Sequence, residues 1–92
     1  MRIRWTEPAA QDFTRICDYI EEHGSPAAAR RVALAIYQRV DSLTQFPHSG
    51  RRGRRSDTRE LVFADLPYVV IYRVREDVVE INRILHASQN WP

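Results

Sequence analysis

The chain has 92 residues, a hydrophobic fraction of 43% and a formal net charge of +2 at pH 7, which fits one folded domain over residues 1–92. It contains no apolar run of the roughly 20 residues that a membrane-spanning helix needs, and its N-terminus lacks the apolar region of a signal peptide. Cys17 is the single cysteine, which excludes an intramolecular disulfide. We therefore expect a cytoplasmic protein without a membrane partner.

The N-terminal half predicts one short strand and two helices. Arg2 to Trp5 alternates polar and apolar residues, as a strand does. Thr6 can cap a helix, and the apolar stripe of that helix runs from Ala9 to Ile20. Ser25-Pro26 then gives the N-cap and first position of a second helix, with a stripe from Ala29 to Leu43. The short connection predicts a helix hairpin.

The C-terminal half predicts a loop and a meander. Residues 48–57 have no periodicity and are rich in Gly, Ser and Arg, which indicates an exposed basic loop. Three β-branched runs follow, at Leu61–Phe63, Tyr68–Val74 and Val78–Leu85, with breaks short enough for hairpins. The order β-α-α-β-β-β predicts an α+β fold, with the helix hairpin packed on a twisted antiparallel sheet and the N-terminal strand at an edge.

Alternation in the last strand predicts which side chains are exposed. Its alternate positions divide into an apolar and a polar set: Val79, Ile81 and Leu85 against Glu80, Asn82 and His86. His86 is therefore expected to face water or a functional site. Arg83 falls on the apolar set, so either this strand lies at an edge or Arg83 has a partner.

All 14 basic residues are arginine, and five of them crowd into nine positions: Arg51, Arg52, Arg54, Arg55 and Arg59. The absence of lysine indicates either a GC-rich genome or selection for side chains that bind phosphate or carboxylate through two hydrogen bonds. The basic segment is either a solvated loop or a surface for a phosphate-bearing or acidic partner.

In order and spacing, the residues resemble the RelE/ParE superfamily of bacterial toxins from type II toxin–antitoxin modules. The resemblance covers nearly the whole chain. It is carried by Trp5, Ala9, Ala10, Asp12, Asp18-Tyr19-Ile20, Pro26-Ala27-Ala28, Leu43–Pro47, Gly50-Arg51, Thr58-Arg59-Glu60-Leu61, Leu66-Pro67-Tyr68, Ile71-Tyr72-Arg73, Arg83-Ile84-Leu85-His86 and Trp91.

The resemblance implies a small α+β toxin and a cognate antitoxin, one segment of which wraps the toxin. We expect that segment to be acidic and amphipathic and to lie over the exposed basic surface near Arg51–Arg55 and the sheet. Operator DNA would then be bound only through the antitoxin. One branch of the superfamily inhibits DNA gyrase without known catalytic residues, and the other cuts mRNA on the ribosome without a metal. No cofactor or metal is expected.

If the chain is a nuclease, four residues can supply the chemistry. Arg59 and Arg73 could hold the phosphate, His86 could act as acid or base, and Glu60 could be a base. Each also has a structural interpretation: Arg59 and Glu60 could form a surface pair, and Arg73 could pair with a helix carboxylate such as Asp12 or Asp18.

One departure from the superfamily pattern favours the gyrase branch. Ribonuclease members commonly carry Arg just before the apolar-apolar-Tyr of the central strand, where this chain has Val69. Inhibition of DNA gyrase is therefore the first expectation, and ribosome-dependent mRNA cleavage is the alternative. The candidate nucleic-acid or partner contacts are Arg51, Arg52, Arg54, Arg55, Tyr68, Tyr72, Arg83 and Trp91. Tyrosines in such strands are more often packing residues than platforms for base stacking.

Overall fold

The computed structural model describes residues 1–89. Its elements are β1 (Arg2–Trp5), α1 (Glu7–His23), α2 (Pro26–Asp41), a 3₁₀ turn (Ser42–Thr44), β2 (Arg51–Arg52), β3 (Arg59–Val62), β4 (Tyr68–Arg75) and β5 (Val78–His86). The predicted α+β order is confirmed, with one addition. The short strand β2 lies inside the segment that the sequence predicted to be a loop throughout. The predicted contact residue Trp91 lies outside the described residues.

Both helices begin at the predicted caps. The side-chain oxygen of Thr6 accepts a hydrogen bond from the Ala9 N–H at 3.3 Å, and that of Ser25 accepts one from the Ala28 N–H at 3.0 Å. Each bond satisfies one of the N–H groups that a helix leaves unpaired in its first turn. Each helix also has a proline at one of its first two positions, where the backbone N–H has no acceptor within the helix.

The five strands form one sheet in the order β1-β5-β4-β3-β2. The pairings among β2, β3, β4 and β5 are antiparallel, and β1 lies at an edge as predicted. However, β1 runs parallel to β5, with Arg2 opposite Val78 and Trp5 opposite Ile81. The sheet is therefore mixed. The two helices supply the long crossover that a parallel pair needs.

The helix hairpin covers one face of the sheet. Buried side chains from the helices and the 3₁₀ turn meet buried side chains from β3, β4 and β5, and the cluster contains Ala9, Ile36, Val40, Leu43, Leu61, Val70, Tyr72, Val79, Ile81 and Ile84. Because side chains alternate along a strand, Glu60, Ile71 and Arg73 point to the other face. In the part of the chain that the structure describes, no helix packs on that face, which we call the open face.

A β-bulge changes the predicted alternation of β5. Tyr72 pairs with Ile81, but Ile71 pairs with Arg83, so Asn82 has no partner in β4. The extra residue moves Ile84 onto the core face and turns Leu85 to the open face. The predicted grouping of Leu85 with Ile81 is therefore wrong. His86 is exposed, as expected.

Arg83 has the partner that the sequence allowed for. Its Nε and Nη2 donate to the Asp12 carboxylate at 2.7 and 3.0 Å, and the Ile84 N–H donates to the same carboxylate at 2.9 Å. Asp12 thus binds β5 at an N–H beyond the end of β1. The predicted alternative in which Asp12 pairs with Arg73 is wrong. The hydrogen bonds to Asp12 raise the pKa of Arg83 above its ordinary value.

Candidate binding surface on the open face

A cavity of about 240 Å³ lies on the open face, between the middle of the sheet and the loop after β2. Its apolar lining is formed by Ile71 and Leu85, which we call its floor. Charged and polar side chains surround that floor: Arg54, Arg55, Thr58, Glu60, Arg73, Asn82 and Arg83. An apolar floor with a basic rim suits a segment that is itself both apolar and acidic.

The polar groups of this cavity are only partly paired. Glu60 is 4% exposed and accepts from Arg51 Nε at 3.0 Å and Nη2 at 2.9 Å. Within residues 1–89, the buried Nε of Arg73 makes no hydrogen bond, and neither does the buried Oδ1 of Asn82. Asn82 Nδ2 donates to Glu80 at 2.8 Å, which fixes which way its amide points.

Arg59 holds the chain before β2. Its guanidinium donates to the carbonyl oxygens of His48 at 3.3 Å and Gly50 at 2.9 Å. Beside it, the buried Tyr72 hydroxyl accepts from the Gly50 N–H at 2.9 Å and donates to the Pro47 carbonyl at 2.8 Å. Arg59 and Glu60 therefore do not pair with each other, since each has a different partner.

Tyr72 cannot serve as a partner-contact residue, because its side chain is fully buried under the helices. That prediction is corrected: the apolar neighbours of Tyr72 on the core face, together with its two buried hydrogen bonds, explain why it faces inward. Burial raises the pKa of its hydroxyl, and the hydrogen bond from Gly50 offsets part of that rise. Tyr68, in contrast, is half-buried.

His86 lies at the far end of β5. It pairs with Tyr68 across the sheet and meets that ring edge-on at 5.7 Å between centroids. Its Nδ1 accepts from the Ser88 N–H at 3.2 Å. Arg73 lies five residues from Tyr68 along β4, so His86 and Arg73 are separated by about 17 Å at about 3.3 Å per residue. Glu60 and Arg73 share one cavity, whereas His86 does not line it.

A second depression, of about 690 Å³, lies on the other side of Arg54 and Arg55. We call it the basic groove. It is lined by His48, Arg52, Gly53, Arg54, Arg55, Ser56, Asp57, Thr58, Arg59, Val74 and Arg75. Among the described residues, the lining of the groove thus contains five arginines and one acidic residue. Arg54, Arg55 and Thr58 line both this groove and the open-face cavity.

Sequence reasoning missed several residues of this surface. Arg75 joins the basic groove because β4 brings its end beside the loop after β2, and the predicted hairpin could have indicated this. Leu85 reaches the open face only because of the bulge at Asn82, for which the sequence offers no signal. Among residues 1–89, no group of three or more His, Cys, Asp or Glu side chains could hold a metal ion, and no helix is long and apolar enough to cross a membrane.

Comparisons with known proteins agree over nearly the whole chain. It is 50% identical over 91 residues to the protein Y4kP of Sinorhizobium fredii, and the alignment covers 99% of this chain and 93% of that protein. It is 42% identical over 88 residues to Toxin RelE2 of Caulobacter vibrioides, covering 96% and 97% of the two chains.

The fold has a close structural counterpart as well. A solved structure of the chromosomal ParDE TA system from P. aeruginosa aligns with 94% of this chain and 95% of that chain, at a TM-score of 0.84 and 26% identity. The sequence model of the family described as "ParE toxin of type II toxin-antitoxin system, parDE" matches residues 3–91. The chain therefore belongs to the ParE family of toxins of type II toxin–antitoxin systems.

Proposed function

We propose that this toxin arrests growth by binding DNA gyrase, without cutting RNA. The observation that carries the proposal is the dispersal of the four side chains that metal-free RNA cleavage would need. Glu60 is held by Arg51, Arg59 is held by two backbone carbonyls, and His86 lies about 17 Å along the sheet from Arg73. Acid, base and phosphate clamp must all reach one phosphate to act together.

The alternative, ribosome-dependent mRNA cleavage, is supported by a smaller set of residues. Arg73, Arg83 and Glu60 line one cavity, so two guanidinium groups and a carboxylate could approach a single phosphate. A relative at 42% identity is named Toxin RelE2. This candidate requires Arg83 to act while it remains bound to Asp12, or to leave that carboxylate.

A supercoiling reaction separates the two candidates. We expect purified toxin to block supercoiling of relaxed plasmid by gyrase, and the His86→Ala variant to block it at the same concentration as wild type. Relaxation of the same plasmid by a type I topoisomerase is the control, because that reaction shares the DNA but not gyrase. Unimpaired supercoiling at saturating toxin, together with cleavage of a reporter mRNA in a translation extract, would refute the proposal.

We propose further that the antitoxin neutralises the toxin by laying an acidic, amphipathic segment over the open face. Ile71 and Leu85 provide the apolar floor, and Arg54, Arg55 and Arg73 provide the charge. The electrostatic part of this binding is screened by salt because Arg54 and Arg55 are exposed.

The antitoxin proposal predicts a charge-dependent and site-dependent loss of affinity. The Arg54→Gln/Arg55→Gln variant is expected to bind the co-encoded antitoxin at least about tenfold more weakly at 0.1 M salt, corresponding to about 0.7 kcal/mol or more for each charge. The Arg30→Gln/Arg31→Gln variant, with the same charge change on the exposed side of α2, is the matched control. Equal affinities for the two variants, or no effect of salt on the wild type, would contradict the proposed surface.

A further inference from the structure

We infer that the basic groove binds the phosphate backbone of duplex DNA, so that the toxin itself contacts the DNA on which gyrase acts. This inference deepens the proposed function and rests on it, because gyrase presents duplex DNA beside its protein surface. The inferred site is distinct from the open-face cavity, although Arg54 and Arg55 line both.

The charge of the groove is largely uncompensated. In residues 1–89, three of its arginines, Arg52, Arg55 and Arg75, form no ion pair. The carboxylate partner of neighbouring Arg51 is Glu60, which is on the open face, so that pair does not neutralise the groove. Concentrated guanidinium groups with a single carboxylate, Asp57, among them attract polyanions, and each phosphate that they neutralise releases condensed counterions from the DNA.

The lining of the groove favours nucleic acid over an amphipathic peptide. Among the residues that the structure describes, Val74 is the single aliphatic side chain of the groove, whereas Ile71 and Leu85 form the floor of the open-face cavity next to it. A peptide that binds through an apolar stripe gains its hydrophobic contacts on the open face. A phosphate backbone is polar along its whole length and needs no such floor.

The same lining favours a duplex over a single strand. Among residues 1–89, no Phe, Tyr or Trp side chain lines the groove. Proteins that bind single-stranded nucleic acid combine a basic groove with aromatic side chains on which the bases stack. Arginines alone, without stacking platforms, suit a helix whose bases stay paired and whose phosphates are the exposed groups. The expected binding is independent of sequence.

β-Pairing places two arginines of the groove side by side. Arg52 lies directly opposite Arg59 in the β2–β3 pair, so their side chains share one face of the sheet. Arg75, at the end of β4, lines the same depression from the opposite face. Since Arg59 is held by the carbonyl groups of His48 and Gly50, it gives the groove one fixed positive charge.

Fluorescence anisotropy with a labelled mixed-sequence duplex tests this inference without gyrase. We expect wild-type toxin to bind with a Kd of roughly 1–100 μM at physiological salt, the range of non-specific binding. The Arg52→Gln/Arg55→Gln variant is expected to bind about tenfold more weakly. It should also reduce the magnitude of the slope of log K against log salt by about 1.8, because each of the two lost phosphate contacts contributes about 0.9. Arg30→Gln/Arg31→Gln, the control of equal charge, is expected to stay within about twofold of wild type.

Three outcomes would overturn the inference, and a fourth separates it from the proposed function. Equal losses in the two double variants would mean that net charge, not the groove, attracts DNA, and would overturn it. Tighter binding of a single-stranded RNA of equal length would also overturn it, as would equally strong competition by a poly-glutamate peptide of equal charge. Intact duplex binding by a wild-type toxin that fails to inhibit supercoiling would refute the gyrase target and leave the groove assignment standing.

Discussion

Replacing Asp12 with alanine is expected to lower the free energy of unfolding by about 3 kcal/mol. The side chain is 6% exposed, and its carboxylate accepts three N–H groups, two from Arg83 and one from Ile84. Removing one partner of a buried charged pair typically costs about 3–5 kcal/mol. The Arg83 side chain is 41% exposed, so water can solvate it in the variant, which places the expected loss at the lower end.

Urea unfolding would measure this loss as a lower midpoint at an unchanged slope. Asp12→Asn is the matched control, because the amide keeps one acceptor oxygen and should lose about half as much. A double-mutant cycle with Arg83→Met should give a coupling of about 1 kcal/mol or more. If Asp12→Ala unfolds within about 0.5 kcal/mol of wild type, as an ordinary surface substitution does, the carboxylate does not hold α1 to β5.

Replacing Tyr72 with phenylalanine is expected to lower the free energy of unfolding by about 2 kcal/mol. The lost hydroxyl leaves the Gly50 N–H and the Pro47 carbonyl without their partner, and an unsatisfied buried group costs about 1–3 kcal/mol. Space is tight at this point, since a Cβ on Gly50 would lie 2.7 Å from the Tyr72 hydroxyl. Gly50 thus packs directly against the hydroxyl, and loss of that hydroxyl leaves a gap that the segment before β2 can fill only by moving its backbone.

Tyr37→Phe is the control for this variant, because Tyr37 is 56% exposed on α2 and should change stability by less than about 0.5 kcal/mol. The effect of pH is a second measurement. Burial raises the pKa of Tyr72, so above about pH 10 the folded chain keeps a proton that the unfolded chain has lost. The contribution of Tyr72 is therefore complete below about pH 10 and declines above it. The gap between wild type and Tyr72→Phe should narrow there; a constant gap would contradict this account.

Local signals were sufficient to predict much of this fold. Thr6 and Ser25 cap their helices as predicted because capping depends on residues three positions apart. The strand runs were visible because β-branched residues cluster between short breaks. In the same way, the excess of arginine in residues 51–59 indicated a charged surface before its shape was known.

What the sequence could not predict depends on contacts between distant residues. Asp12 and Arg83 are 71 positions apart, and several carboxylates were equally plausible partners. The bulge at Asn82 follows from how β4 and β5 pack together, and it decides which face Leu85 occupies. The sequence left Tyr72 as either a packing or a contact residue, because its two hydrogen-bond partners are backbone groups, which have no sequence signature.

These long-range contacts also bear on the proposed choice between the two candidate functions. Arg59 and Glu60 are adjacent in sequence, yet they point to different faces and bind different groups. His86 and Arg73 belong to neighbouring strands, but His86 pairs with Tyr68 at the opposite end of β4 from Arg73. A catalytic set that looks compatible in the sequence is therefore spread over the sheet, which supports a toxin that acts by binding.

Pulse labelling after induction of the toxin without its antitoxin tests this central claim in the cell. Thymidine and methionine incorporation would be followed side by side for wild type and for His86→Ala. A gyrase-binding toxin is expected to stop thymidine incorporation first, and to do so equally in both strains. A fall in methionine incorporation first, abolished by His86→Ala, would contradict the account and assign the chain to mRNA cleavage.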